Sequence, residues 1–161
     1  MEGIHKEFID KLIEVEGHLV SADHLVYVTF PVVKDARLLI RGFESAHKAL
    51  VGCISTILRF EYLYKRVELS ADNSENLKSF YKKCALSYGL DERGRELVKE
   101  MMFLAKKHKE SGLEFAKSGR IIITDDELGV YELSSDKMKT YISLLKKLLE
   151  NTNRKFKEGT I

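Results

Sequence analysis

The side chains best suited to chemistry lie close together in one stretch, at Arg41, Glu44 and His47. An imidazole such as that of His47 can move a proton, and the guanidinium of Arg41 can stabilise negative charge on a phosphate. Glu44 and His47 also have the Glu-x-x-His spacing of di-iron helix bundles, but that site needs a second pair and further glutamates. The only other such pair, Glu2 and His5, is at the terminus. We therefore predict no metal site and no cofactor.

His47 has a second interpretation, as a structural residue. It continues an apolar stripe at helical spacing that includes Ile40, Phe43 and Leu50. In a helix, the six positions between Arg41 and His47 correspond to a rotation of about 120°. We therefore favour a buried, satisfied His47 over a catalytic one.

The other reactive residue types favour structural roles. Cys53 and Cys84 lie far apart in apolar helical patterns without a CxxC motif, which predicts two buried free thiols. Glu14 and His18 could bind a cation but fit a solvated helix face. His108 suits the end of a helix, where a cation complements the dipole. The sequence contains no Walker loop, GxGxxG, nucleophile elbow or HExxH.

Four small residues of the predicted second helix follow one another at steps of four, three and four positions. This spacing places them on one helix face, where another helix can approach closely. A glycine within a helix costs roughly 1 kcal/mol relative to alanine, which points to a packing reason for Gly52. Close packing inside one chain and a homodimer interface explain the pattern equally well. The four residues are Ser45, Ala49, Gly52 and Thr56.

The run Ala46-His47-Lys48-Ala49-Leu50 resembles the second helix of HEPN-domain proteins, which are small bacterial and archaeal helical bundles. The preceding amphipathic helix and the order of the later helices are compatible with that family. The resemblance covers residues 5–65 in general character and this run in detail.

Some HEPN-domain proteins are ribonucleases. Their motif is an arginine followed by four to six residues and then a histidine, and the motifs of two subunits meet at a dimer interface. The resemblance therefore implies a catalytic role for Arg41 and His47, with five residues between them. In catalytic members the motif lies nearer the C-terminus, and here the last helix has no histidine. We therefore predict an HEPN-like accessory or binding module for RNA or a nucleotide, with Arg37 and Lys48 as binding residues. The alternatives are a ribonuclease using Arg41 and His47, and a structural subunit that docks a partner protein.

Hydrophobic periodicity predicts an all-α, up-and-down bundle of about five helices with one short β-hairpin, in a single domain over residues 1–161. Pro31 predicts a helix break near Phe30. The second helix, at 36 residues and about 54 Å, would outrun a compact bundle, which also favours a homodimer. The predicted helices span residues 4–25, 32–67, 75–88, 92–109 and 135–156, and the predicted strands span 120–124 and 130–133.

Composition is that of a folded protein, with 44% hydrophobic and 32% charged residues. The uncharged apolar stretch Leu25–Val33 is about half of a membrane span, and the N-terminal residues lack signal-peptide features. We therefore predict a cytoplasmic protein with no membrane partner. A net charge of +2 does not by itself imply nucleic acid. The absence of Gln with abundant Lys and Glu is a tendency of thermophile proteins.

Overall fold

The computed structural model describes residues 2–111 and 113–159, with side chains from residue 5 onward. It confirms a mostly helical bundle that carries a small antiparallel sheet. No helix in the described chain is both long and apolar enough to cross a bilayer. The helices are α1 (Glu2–His24), α2 (Arg37–Leu63), α3 (Asn73–Ser79), α4 (Glu92–Glu110) and α5 (Ser135–Glu158), and the strands are β1 (Leu113–Lys117), β2 (Arg120–Thr124) and β3 (Val130–Leu133). Short turns of π-helix (Leu25–Thr29, Phe80–Cys84), α-helix (Phe30–Val33) and 3₁₀-helix (Leu86–Tyr88) follow α1 and α3.

The chain after α1 stays helical through Phe30, so the predicted break there is wrong. In the π-helical turn the backbone N–H of Phe30 donates to the carbonyl of Leu25, five residues back. The wider turn places Pro31 at the start of the next helical turn, where its missing N–H costs least. Helical structure ends at Lys34, whose φ of +58° is left-handed.

Helix α2 is shorter than predicted. It contains 27 residues, which corresponds to about 40 Å at 1.5 Å per residue. The left-handed Lys34 separates it from the preceding turn, and a second left-handed residue, Lys65 with φ of +60°, follows its end. The predicted 36-residue helix is therefore wrong, and its excess length gives no argument for a dimer.

Capping residues bound the helical segment that begins with α3 and continues through the turns after it. The carboxylate of Asp72 accepts the backbone N–H of Ser74 at 2.9 Å, which satisfies a donor that the first helical turn leaves free. The segment ends at Gly89, where φ is +84°. Cys84 in this segment and Cys53 on α2 are buried and free, and burial raises the pKa of each thiol to about 11. Both thiols are therefore protonated at neutral pH, in line with the predicted structural role.

The sheet has one strand more than the predicted hairpin. β1 pairs antiparallel with β2, and β2 with β3. Ser118 and Gly119 form the two-residue turn between β1 and β2 with positive φ values of 54° and 76°, which is the geometry of a type I′ hairpin. The central strand buries Ile121 and Ile123, so that the sheet packs its inner face onto the helices.

Helices α1, α2 and α5 share an aromatic cluster at one end of the bundle. The rings of Phe8, Phe60 and Phe156 pack with centroids 4.1 to 5.7 Å apart. Next to Phe60, the buried Glu61 accepts the hydroxyl of Tyr88 at 2.7 Å and pairs with Arg66. Burial alone would raise the pKa of Glu61, but these two partners hold it below its usual value. The buried carboxylate is therefore charged and satisfied.

Candidate functional site

Arg41 and His47 lie on α2, but they do not share a face. Arg41 is exposed, whereas His47 is half-buried and stacks on Phe43 with 6.4 Å between the ring centroids. Six helical positions correspond to a rotation of about 120°. One chain therefore does not bring the two side chains together, and their catalytic role stays a prediction from the resemblance.

His108, at the end of α4, lies close enough to His47 for its charge to lower the pKa of His47. Two carboxylates hold the ring of His108. Glu114 of β1 lies 2.5 Å from its Nδ1, and Glu44 of α2 lies 3.2 Å from its Nε2. This contact joins α2, α4 and the sheet. Sequence reasoning missed it because no local spacing shows that these three residues meet.

The two imidazoles favour opposite protonation states. Burial alone would lower the pKa of His108, but the hydrogen bonds and charges of Glu114 and Glu44 outweigh it and raise that pKa above its usual value. Burial, and then the charge of His108, lower the pKa of His47. His108 is therefore the imidazole that holds a proton more tightly, and His47 is the one that stays neutral.

Substituting His108 with glutamine is expected to reduce stability more at pH 6 than at pH 9. A group whose pKa is raised on folding contributes stability below its unfolded pKa, near 6.5, and loses that contribution as pH rises through its folded pKa. We expect a loss of about 1 kcal/mol at pH 6, because the hydrogen bonds are charge-assisted but partly exposed. Urea unfolding at both pH values measures it, with His24→Gln as the control. An equal loss at both pH values would contradict the assigned charge.

A polar cleft lies between α1 and α2, on the side of α2 that carries the small residues. Its volume is about 240 Å³, slightly below the roughly 300–1,000 Å³ of most small-molecule pockets. It therefore fits a compact polar group better than a large ligand. Its polar lining comprises Glu7, Lys11, Glu14 and His18 from α1, and Lys48, Ser55, Thr56 and Arg59 from α2.

The small residues of α2 allow this close approach of α1. A Cβ atom at Gly52 would lie only 2.9 Å from Cγ2 of Val15. Ala49 and Thr56 are buried on the same face, and the Thr56 hydroxyl donates to the carbonyl of Gly52 at 2.6 Å. Half-buried Ser45 completes the face. Close packing inside one chain therefore explains this face, and a homodimer through it would have to displace α1.

The charged groups of the cleft are only partly paired with one another. Arg59 lies 3.7 Å from Glu7, and Lys11 lies 3.6 Å from Glu14, with all four side chains more than half exposed. Such pairs contribute little and rearrange easily. Lys48, in contrast, forms no ion pair with any described carboxylate. Its ammonium group is thus the cation most available to a ligand.

Of the two basic residues predicted to bind, only Lys48 lines this cleft. Arg37 lies at the start of α2, where its Nε and Nη2 donate to the carboxylate of Asp35 at 2.7 to 3.2 Å. This neighbour raises the pKa of Arg37 and occupies its guanidinium. The structure therefore separates the two residues that sequence reasoning had grouped.

Comparison with known proteins gives no further assignment. No protein-family model, no curated protein and no solved structure matches this chain. Within residues 2–111 and 113–159, no group of three or more His, Cys, Asp or Glu side chains is arranged to hold a metal ion. The HEPN resemblance therefore stays a prediction from the sequence.

Proposed function

We propose that this chain is an HEPN-like helical module that binds the phosphate and ribose of a nucleotide, or the phosphate-bearing end of an RNA strand, in the cleft between α1 and α2. The observation that carries the proposal is Lys48, a cation without a carboxylate partner in the described chain, which lines a cleft of about 240 Å³. A phosphate would accept hydrogen bonds from Lys48 and from the hydroxyl of Ser55.

The carboxylates in the cleft favour a nucleotide over a simple anion. Glu7 and Glu14 line the cleft with the basic residues, and they would repel a ligand that carries only negative charge. A nucleotide also carries ribose hydroxyls, which can donate hydrogen bonds to a carboxylate. Mixed charges of this kind therefore suit a ligand with one anionic end and one donor-rich end.

The size and charge of the cleft argue against binding along a nucleic acid polymer. Such binding relies on many basic contacts to successive phosphates. Here the cleft combines Lys11, Lys48 and Arg59 with two glutamates, and the whole chain carries a formal charge of only +2. We therefore expect recognition of one nucleotide unit, with weak dependence on strand length.

Replacing Lys48 with alanine is expected to weaken the binding of adenosine 5′-monophosphate by about tenfold or more. A charge-assisted hydrogen bond contributes about 1.5–3 kcal/mol, and each 1.4 kcal/mol changes Kd tenfold. Isothermal titration calorimetry measures it, with inorganic phosphate as a second probe. Lys83→Ala is the matched control, since exposed Lys83 does not line the cleft.

Two results would overturn this proposal. One is no binding of the mononucleotide by the wild type at millimolar concentration, and the other is equal affinity in the wild type and Lys48→Ala. Incubation with RNA distinguishes the enzyme alternative. Cleavage that is lost in a folded His47→Ala variant would favour a ribonuclease over a binding module.

A further inference from the structure

Helix α1 has a second apolar stripe, besides the one that it buries against the core. Ile9, Ile13 and Val20 are 55%, 59% and 59% exposed. Their spacing places them on one side of the helix. Soluble proteins rarely leave a row of large apolar side chains in water without a binding partner.

Gly17 lies within this stripe and has no explanation inside the chain. A Cβ atom at this position would meet nothing within 4 Å, whereas one at Gly52 would collide with Val15. A glycine within a helix weakens it relative to alanine. Intrachain packing thus explains Gly52 but not Gly17, and a close approach by another molecule would explain the second glycine.

The stripe borders a groove between α1 and α5. Two hollows of about 570 and 440 Å³ share Asn153, and they form this groove together. Ile9 lies on the wall of the first hollow and Val20 on the wall of the second. Apolar side chains of an opposing helix could therefore pack along the groove.

The two ends of this groove carry opposite charge. Lys6 and Lys157 line one end. Glu16, Asp23 and Glu150 line the other end, where Lys146 pairs with Asp23 at 2.6 Å. A copy of the chain related by a two-fold axis would place its basic end against the acidic end of the first copy.

We propose that a second copy of this chain covers the stripe, in a two-fold symmetric dimer whose α1 helices cross antiparallel near Ile13. In this register Ile13 meets its counterpart on the two-fold axis, and Ile9 of each copy packs over Gly17 of the other. Lys6 then approaches the acidic end of the partner's groove. This interface lies on a different face of the bundle from the small residues of α2.

Sedimentation equilibrium at tens of micromolar protein tests the proposal. The wild type is expected to have twice the chain mass of 18.5 kDa. Ile13→Glu is expected to sediment as a folded monomer, because it places two like charges together at the axis. Gly17→Leu is expected to do the same, because its side chain occupies the space that Ile9 needs. Leu86→Glu is the control, since Leu86 is 72% exposed and lies outside the stripe.

A charge exchange gives a second, independent readout. Lys6→Glu is expected to weaken the dimer by about tenfold or more, and adding Glu16→Lys to the same chain is expected to restore it. Circular dichroism confirms that each variant keeps its helices. A wild type that sediments at 18.5 kDa, or a dimer that persists in Ile13→Glu, would overturn the proposal.

Discussion

Replacing Phe60 with alanine is expected to remove about 3–5 kcal/mol from the free energy of unfolding. Phe60 is 2% exposed, and its ring lies 4.1 Å from that of Phe156, 5.4 Å from that of Phe8 and 4.9 Å from that of Tyr64, centroid to centroid. These partners come from α5, α1 and the end of α2. The substitution therefore leaves a cavity where three helices meet, and neighbouring side chains cannot fill it without moving a helix.

Urea unfolding at constant pH measures this loss. Phe103→Ala is the matched control, because it removes the same atoms from a ring that is 44% exposed. We expect the control to lose less than about 1.5 kcal/mol, since its burial is partial. Phe60→Leu should also lose less than about 1.5 kcal/mol, because it keeps most of the buried volume. A loss below 1 kcal/mol in Phe60→Ala would contradict the packing of this cluster.

Replacing Gly52 with leucine is expected to have two separate effects. A Cβ atom at Gly52 already lies 2.9 Å from Val15, so a larger side chain must push α1 away from α2 at a cost of about 1–3 kcal/mol. The same side chain enters the cleft that Gly52 lines. We therefore expect loss of adenosine 5′-monophosphate binding as well as lower stability.

Thermal unfolding and calorimetry on the same samples measure the two effects. Val51→Leu is the matched control, because Val51 precedes Gly52 and is 42% exposed on another side of α2. We expect the stability of Val51→Leu to lie within about 0.5 kcal/mol of the wild type. We also expect this variant to bind the nucleotide as the wild type does. If Gly52→Leu were as stable as the wild type and still bound the nucleotide, neither the helix contact nor the cleft would be as described.

The helical part of the fold could be predicted from the sequence because each helix carries its own periodic stripe. The boundaries were less predictable. Lys34 and Lys65 end helical segments with left-handed conformations, although lysine has no intrinsic preference for that region. Pro31 predicts a break that a π-helical turn avoids. In each case the intrinsic preference of the residue does not determine where the helical segment continues or ends.

Strand β1 was missed because its residues do not identify it. Leu113–Lys117 reads Leu-Glu-Phe-Ala-Lys, which lacks the β-branched residues that favour a strand. It is a strand because it pairs antiparallel with β2, in a register that places Phe115 opposite Ile122. Pairing between strands is a property of the folded chain, whereas the β-branched run of β2 is visible in the sequence itself.

Part of the candidate site could be predicted, and part could not. Lys48 and the small residues around Gly52 lie on one helix, so that their spacing in the sequence predicts that they are near one another. The residues from α1 that complete the cleft, such as Glu7 and His18, are distant in sequence. The contacts of His108 with Glu44 and Glu114 are long-range contacts of the same kind. Side chains on one helix can thus be grouped from spacing, but contacts between helices require the fold.

The most direct test of nucleotide binding in the α1/α2 cleft is an amide NMR titration of the ¹⁵N-labelled wild-type protein with adenosine 5′-monophosphate. The expected result is a set of saturable shifts confined to the turns of α1 around Glu7–His18 and of α2 around Lys48–Arg59, which line the cleft. Shifts centred instead on His47 and His108, or no shifts at millimolar nucleotide, would contradict it.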